Sequence, residues 1–427
     1  DHFRYNRIML AIFKHTLGAK GWLRAWAIYL MAFPFYFFPA GSAQPSDILV
    51  VVVIGFYVLG QHFKISEVHQ PVFKGFLKFC IYLSIVNLGL HISLLGERNS
   101  GLAWYIYSAF YFYNLMVMGF ALSLYRQYRK QFVYTTAYAC IFAGILQIVL
   151  SYALQTNSEG IRGAMFFTNP NQLGYYSLSG LAIILVLETM IKIPRLMVYL
   201  SFFVFSYLAL ISVSKAALGS MIILFGAYLI ANKVFSFKNI FAIIIVGGLG
   251  FIGVTQSEFG KRFQENLEKR NINEETRPEE ITEWEYRGYD RISNHPEYLV
   301  FGAGEGGYNR FDTFITNHEI HSSFGTIIFC YGIPGTLLFV FFVYSLLKKL
   351  PWFYLVYSLP LFAYGVTHMG LRFTIFWVAL MMFPIIRAER SKMKLMQMYL
   401  MKKREKERQE KSFKQSTVLS QNASGMV

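Results

Sequence analysis

Twelve apolar runs, separated by short connectors, constrain this chain more than any other feature. They centre on residues 22–40, 46–61, 76–95, 102–124, 132–154, 172–191, 196–213, 216–232, 239–255, 322–347, 352–367 and 371–386. A helix needs about 20 mostly apolar residues, with a range of about 17–25, to cross a bilayer. Most of the runs meet that length; the second, eleventh and twelfth are the shortest. Backbone in hydrocarbon must bond to itself, which leaves helices or closed barrels. Runs of this length and apolarity predict helices. The expected fold is therefore an all-α integral membrane protein of about twelve transmembrane helices. Composition agrees, since only 15% of residues are charged and 18% are aromatic, where soluble domains carry roughly 25% charge.

The net charge of +16 would suit a nucleic-acid partner, but its distribution does not. Residues 255–320 hold 14 acidic and eight basic residues, so the excess lies in the other connectors and the C-terminal tail. With the N-terminus inside, the inner connectors carry Arg4, Arg7, Lys14 and Lys20, then Lys64 and Lys74, then Arg126, Arg129 and Lys130. Lys192 and Arg195, Lys233 and Lys238, and Lys348 and Lys349 continue the series. The short outer connectors carry only Arg98, Arg162, Lys215 and Arg372. This is the positive-inside pattern. It places both termini in the cytoplasm and one large loop, 255–320, outside, between spans nine and ten. The expected organisation is a cytoplasmic segment 1–21, a membrane domain 22–386 and a basic tail 387–427. The tail reads either as an amphipathic helix on anionic headgroups or as a solvated helix that fixes topology. Cys80, Cys140 and Cys330 sit in apolar runs with neither disulfide-framework nor zinc spacing. No cleavable signal peptide is expected.

Three outer segments hold the polar chemistry. In "EGIRGAMFFTNPNQLGYYSL", Asn169-Pro170-Asn171 is a turn signal, and Asn171 is expected to cap the helix that follows. Arg162 stands there on the side where positive charge is disfavoured. In "ISVSKAALGS", Lys215 lies in a tight outer turn, as a snorkelling helix-end lysine or as the partner of an anion. The third segment is 255–320, far longer than the roughly 15 residues of a simple loop. Its Gly302, Gly304, Gly306 and Gly307 are read as a flexible turn, because no βαβ unit supports a phosphate cradle. Arg162, Lys215, Arg287 and Arg291, if the helices converge, would form a cluster suited to a diphosphate or sulfate. His321 adds a group able to accept a proton near neutral pH. His318 and His321 have half the spacing of a metal site, but no third ligand accompanies them. Asn169, Asn171, His318 and Arg372 are further candidates for substrate contact.

These residues resemble a known family, the bacterial O-antigen ligase and O-antigen polymerase superfamily of membrane glycosyltransferases. His321-Ser322, nine residues, Gly332, two residues and Gly335-Thr336 resemble its His-Gly signature. Arg162 with "FFTNPNQLG" resembles its Arg-Gly-x-Phe-x-Asn-Pro-Asn block. "SVSK" resembles its Ser-x-Ser-Arg turn, with Lys215 for arginine. Arg287 to Gly304 resembles the Arg-to-Gly-x-Gly element of its large loop. The resemblance covers roughly residues 130–390. It implies an inner-membrane enzyme of lipopolysaccharide or exopolysaccharide synthesis. Its active site would be periplasmic, its donor an undecaprenyl-pyrophosphate-linked oligosaccharide, and no metal would be needed. Chain-length regulator proteins are then possible partners. His321 would orient or deprotonate the acceptor hydroxyl, and Lys215, Arg287, Arg162 and Arg291 would meet the charge on the pyrophosphate. Trp284, Tyr286 and Tyr289 either stack on sugars or pack the loop. Gly332 and Gly335, about one turn apart, are expected to let a neighbouring helix approach. A polymerase is favoured over a ligase that passes glycan to lipid A–core, and over a protein O-oligosaccharyltransferase. A flippase of lipid-linked sugar is the rival of another class, disfavoured by the absence of paired repeats.

Overall fold

The computed structural model describes residues 21–39, 41–61, 63–94, 104–156, 162–232, 257–275, 282–311 and 319–424. The expected ninth span at 239–255, His318 and the N-terminal residues 1–20 lie outside them. Among the described residues all regular structure is helical. The apolar elements are α1 (Gly21–Ala32), α2 (Pro45–Gln61), α3 (Gln70–Ser93), α4 (Trp104–Tyr128), α5 (Lys130–Ala153), α6 (Pro170–Glu188), α7 (Arg195–Ser212) and α8 (Lys215–Ala231). After the polar α9 (Glu258–Glu275) come three short helices, α10 (Glu283–Tyr286), α11 (Asp290–Asn294) and α12 (Tyr298–Phe301). The chain ends with α13 (Ser323–Leu347), α14 (Trp352–Thr367) and α15 (Thr374–Ser424). Five of these, α3, α4, α5, α7 and α13, contain a stretch long and apolar enough to cross a membrane; α2 and α8 are shorter apolar helices. The chain divides into two compact units, one ending at Pro384 and one beginning at Ile385. The second is the basic, helical stretch through Ser424.

In the first unit α6 is the central helix. Every residue from Leu173 to Leu187 is buried, which suits a helix apolar all round. Small residues let its neighbours close in: a Cβ on Gly174 would stand 2.9 Å from Ala217 of α8, and one on Gly180 2.4 Å from the Phe205 ring of α7. Aromatic packing fills the opposite half, where Trp377 stacks on Phe76 of α3 at 4.2 Å between ring centroids.

Bonds between helix ends follow the alternation of charge. Tyr36 N–H donates to Phe166 O (3.1 Å), Gly163 N–H to Ile211 O (3.0 Å) and Ser323 N–H to His368 O (3.1 Å). At the other end His69 Nε2 lies 3.3 Å from Pro384 O, and Tyr354 donates its hydroxyl to Thr189 (2.9 Å). Each pair joins ends that the basic connectors assign to one side.

The loop before α13 departs from expectation. Part of it enters the bundle. Pro334 lies inside α13 and has no N–H, so the Cys330 carbonyl loses its helical partner. The helix kinks at Gly332, whose φ of 62° and ψ of −167° are open to glycine almost alone. Gly304 N–H then donates to Cys330 O (2.8 Å) and Ala303 N–H to Phe329 O (2.9 Å). The neighbouring backbone is satisfied as well. Glu305 N–H reaches Asn87 Oδ1 (2.8 Å) and Phe301 O accepts from Tyr82 (2.8 Å). Arg310 donates to the carbonyls of Ala303, Gly306 and Gly307 at 2.6–2.9 Å. Irregular backbone at membrane depth is tolerated only when satisfied this way. The glycine run is therefore a plug whose 303–305 N–H groups are all taken, rather than a flexible turn. Both signature glycines let a neighbouring helix approach: Tyr82 of α3 lies 3.1 Å from the Cβ position of Gly335, and Phe301 and Leu299 of α12 lie 2.8 and 2.9 Å from that of Gly332, which also makes the kink.

Candidate functional site

A cavity of about 860 Å³ opens where these helix ends meet. His321, Asn169, Asn171 and Arg372 line it. Ser322 caps α13 by accepting from Gly325 N–H (3.1 Å), so His321 stands one residue outside the helix. Its own N–H donates to Arg287 O (3.0 Å), and its side chain is exposed on the cavity wall.

Asn169, not Asn171, caps α6. Its Oδ1 accepts from Asn171 N–H (2.7 Å) and Gln172 N–H (3.2 Å). Pro170 takes the first helical position, where a missing N–H costs nothing. Asn171 Oδ1 instead accepts from Arg162 Nη2 (2.5 Å), while Arg162 Nε donates to Ser212 O (3.0 Å). Arg162 thus ties the Asn-Pro-Asn turn to the Ser-Val-Ser-Lys turn from behind the cavity wall. In that second turn Val213 takes a left-handed φ of 46° and Ser214 caps α8. Lys215 is exposed there and is not part of the lining.

The other expected cations also lie outside the lining. The C-terminal carbonyls of α14 lack intrahelical partners, and the loop supplies several. Arg287 Nη1 donates to Thr367 O (2.7 Å), Tyr289 to Val366 O (2.6 Å), Ser322 to Gly365 O (3.2 Å) and Ser323 to His368 O (3.0 Å). Arg287 also pairs with Glu283 (3.2 Å). Arg291 is fully buried, its guanidinium over the rings of Tyr308 (5.3 Å) and Phe311 (5.5 Å). Burial lowers its pKa and raises that of the adjacent Asp290 carboxyl. Trp284 stacks on Tyr289 at 4.7 Å, within the loop.

Arg372 is the cation on the wall. Its guanidinium pairs with Glu319 and, at 3.7 Å, with Glu305. It also lies over the Tyr107 ring at 5.4 Å. Glu305 is 2% exposed and accepts from the hydroxyls of Tyr111 (2.6 Å) and Tyr331. The plug therefore delivers a buried carboxylate that fixes the arginine of the cavity. Asp47 is a second unforeseen group. It sits in the first turn of α2, accepts from Tyr113 (2.6 Å) and Gln44 N–H (2.9 Å), and lines the cavity. Around these polar groups the wall is apolar and aromatic, with Ile48, Val51 and Val52 of α2 facing Ile106, Ala109 and Phe110 of α4. Among the described residues no three metal-ligating side chains gather. No protein-family model matches the chain, and no curated protein is similar to it in sequence.

Proposed function

We propose that this protein is an inverting glycosyltransferase acting on undecaprenyl-pyrophosphate-linked glycan at the periplasmic face of the inner membrane, and that it is a surface-polysaccharide polymerase. One observation carries this. His321, Arg372, Asn169 and Asn171 share a single cavity with an apolar wall made by α2 and α4. A lipid-linked glycan needs that mixture: hydrocarbon for its isoprenoid, a cation for its diphosphate, and polar and aromatic groups for its sugars. The meeting of the helix ends assigned to the outer side supports the periplasmic placement.

In this mechanism the acceptor hydroxyl oxygen attacks the anomeric carbon of the donor sugar. His321 takes the hydroxyl proton. The bond from the anomeric carbon to the pyrophosphate oxygen breaks, its electron pair leaves with the pyrophosphate, and the configuration inverts. Arg372, held by Glu305 and Glu319, meets the charge that develops there as a preorganised cation. Lys215, exposed at the start of α8 and outside the cavity lining, would meet a diphosphate only beyond the cavity wall. Arg287 holds the His321 backbone, Arg162 holds Asn171, and Arg291 holds the loop.

Turnover of purified lipid-linked oligosaccharide tests the proposal. His321→Ala should lose at least about 10²-fold, in line with general-base contributions of about 10²–10⁴, and a chelator should leave the rate unchanged. A near-wild-type rate for His321→Ala overturns the assignment. Glycan analysis of a deletion strain separates the two chemistries. Single-repeat lipopolysaccharide indicates a polymerase, and bare core with accumulated lipid-linked polymer a ligase.

A further inference from the structure

A second cavity, of about 530 Å³, lies at the other end of α13, between that helix and α3. From Ser323 to Phe342 is at most about 28 Å along α13, shortened by the kink at Gly332, so the two cavities lie toward opposite ends of a helix long enough to cross a membrane. The second is a groove with unlike walls. Lys74 and Lys78 form one, exposed and four residues apart, hence on the same face of α3. Leu338, Phe341 and Phe342 form the other, and Phe341 is 64% exposed. Gly75 opens the floor: a Cβ there would come no nearer than 3.8 Å to Phe342.

Lys78 is the informative residue. It stands eight residues into α3, about 12 Å from the start of the helix. It is also the third residue of the apolar run 76–95, where a lysine is costly unless its ammonium finds an anion or an aqueous surface. Among the described residues neither Lys74 nor Lys78 forms an ion pair with a protein carboxylate. Glu67 also lines the groove, one carboxylate against two ammoniums, so the wall keeps a net positive charge. The same end holds the basic connectors Lys64, Lys348 and Lys349, as a protein surface facing an anionic leaflet does.

We propose that this groove binds an anionic phospholipid, its phosphate between Lys74 and Lys78 and an acyl chain along Leu338 and Phe341. The fit is chemical. A phospholipid brings an anion and acyl chains together at the membrane surface, and basic pockets between membrane helices are suited to such headgroups. The site is separate from the reaction proposed above and does not depend on it.

Native mass spectrometry of the purified, delipidated full chain tests it, titrated with dioleoyl phosphatidylglycerol, tetraoleoyl cardiolipin or dioleoyl phosphatidylcholine. The wild type should retain the two anionic lipids in preference to phosphatidylcholine. Lys74→Ala with Lys78→Ala should weaken anionic-lipid retention about 30-fold, the worth of two basic residues near an anionic lipid surface. Lys74→Arg with Lys78→Arg should restore it, and Glu67→Gln should tighten it. Gly75→Leu, which leaves both lysines in place and fills the floor, should also lower retention; it keeps the test open if the double alanine variant does not fold. Equal retention of anionic lipid by wild type and double variant overturns the proposal. So does equal retention of phosphatidylcholine, or displacement of the lipid by inorganic phosphate alone.

Discussion

Gly332→Ala is the most direct probe of the kink and its plug. At φ 62° and ψ −167° a residue with a Cβ is strained by about 1–3 kcal/mol. The added Cβ would also stand 2.7 Å from Gly302 N, 2.8 Å from Phe301 C and 2.9 Å from Leu299 O. All three are backbone atoms and cannot rotate away. Relief requires the plug to retreat, which breaks the bonds from Ala303 to Phe329 and from Gly304 to Cys330, at about 1 kcal/mol each. Cys330 O is then left without a donor, because Pro334 has none, at a further cost of about 1–3 kcal/mol. Together these predict a loss of about 4–8 kcal/mol, a large share of a typical stability of about 5–15 kcal/mol. Thermal unfolding in detergent, followed by size-exclusion of a fluorescent fusion, reads the stability. Maleimide labelling of Cys330, with the buried Cys80 and Cys140 replaced by alanine, reads the plug. Gly219→Ala is the control: no heavy atom lies within 4 Å of its Cβ position, so it should be neutral or gain up to about 1 kcal/mol. If Gly332→Ala melts with the control and Cys330 stays unlabelled, the plug is not what holds this region together.

Three other outcomes are expected. Glu305→Gln removes a buried partner of Arg372 and should lower stability by about 3–5 kcal/mol; adding Arg372→Met should recover a large part of that loss in the same unfolding assay. Arg162→Ala removes the charge-assisted bond to Asn171, worth about 1.5–3 kcal/mol, and should slow glycan transfer about tenfold or more while His321 stays reactive towards diethyl pyrocarbonate. A cysteine at Ser257 should react with an impermeant maleimide in intact spheroplasts and one at Ser412 only after lysis; labelling at Ser412 in intact cells would refute the orientation.

The periodic features of the sequence were the legible ones. Apolar runs located the helices because hydrocarbon leaves the backbone few other solutions, and α14 at Trp352–Thr367 falls on the expected run. His321, Asn169, Asn171 and Arg372 do share one cavity. The unread features depend on long-range partners. Asp47 belongs to no motif in the sequence; its meaning comes from Tyr113, 66 residues away. Glu305 was one acid among 14 in an acidic segment, and only the plug carries it to Tyr111, Tyr331 and Arg372. Arg287 was read by its charge, whereas its guanidinium bonds a helix-end carbonyl and a neighbouring glutamate.

The spacing of the His-Gly signature now has a physical reason. Ten residues lie between His321 and Gly332, and from Ser323 to the kink is about 14 Å of α13, with the histidine outside the cap and the glycine at the kink. The kink frees two carbonyls, the carbonyls anchor Ala303 and Gly304, and the next residue is Glu305, which grips Arg372. Arg372 and His321 line the same cavity. The glycine thus fixes how deep the plug sits, the plug fixes the arginine, and the helix start fixes the histidine. Moving Gly332 by one residue would rotate the exposed carbonyls by about 100° around the helix and carry them away from Gly304. The spacing therefore sets a distance between His321 and Arg372 on two separate chain segments, which neither residue could set alone.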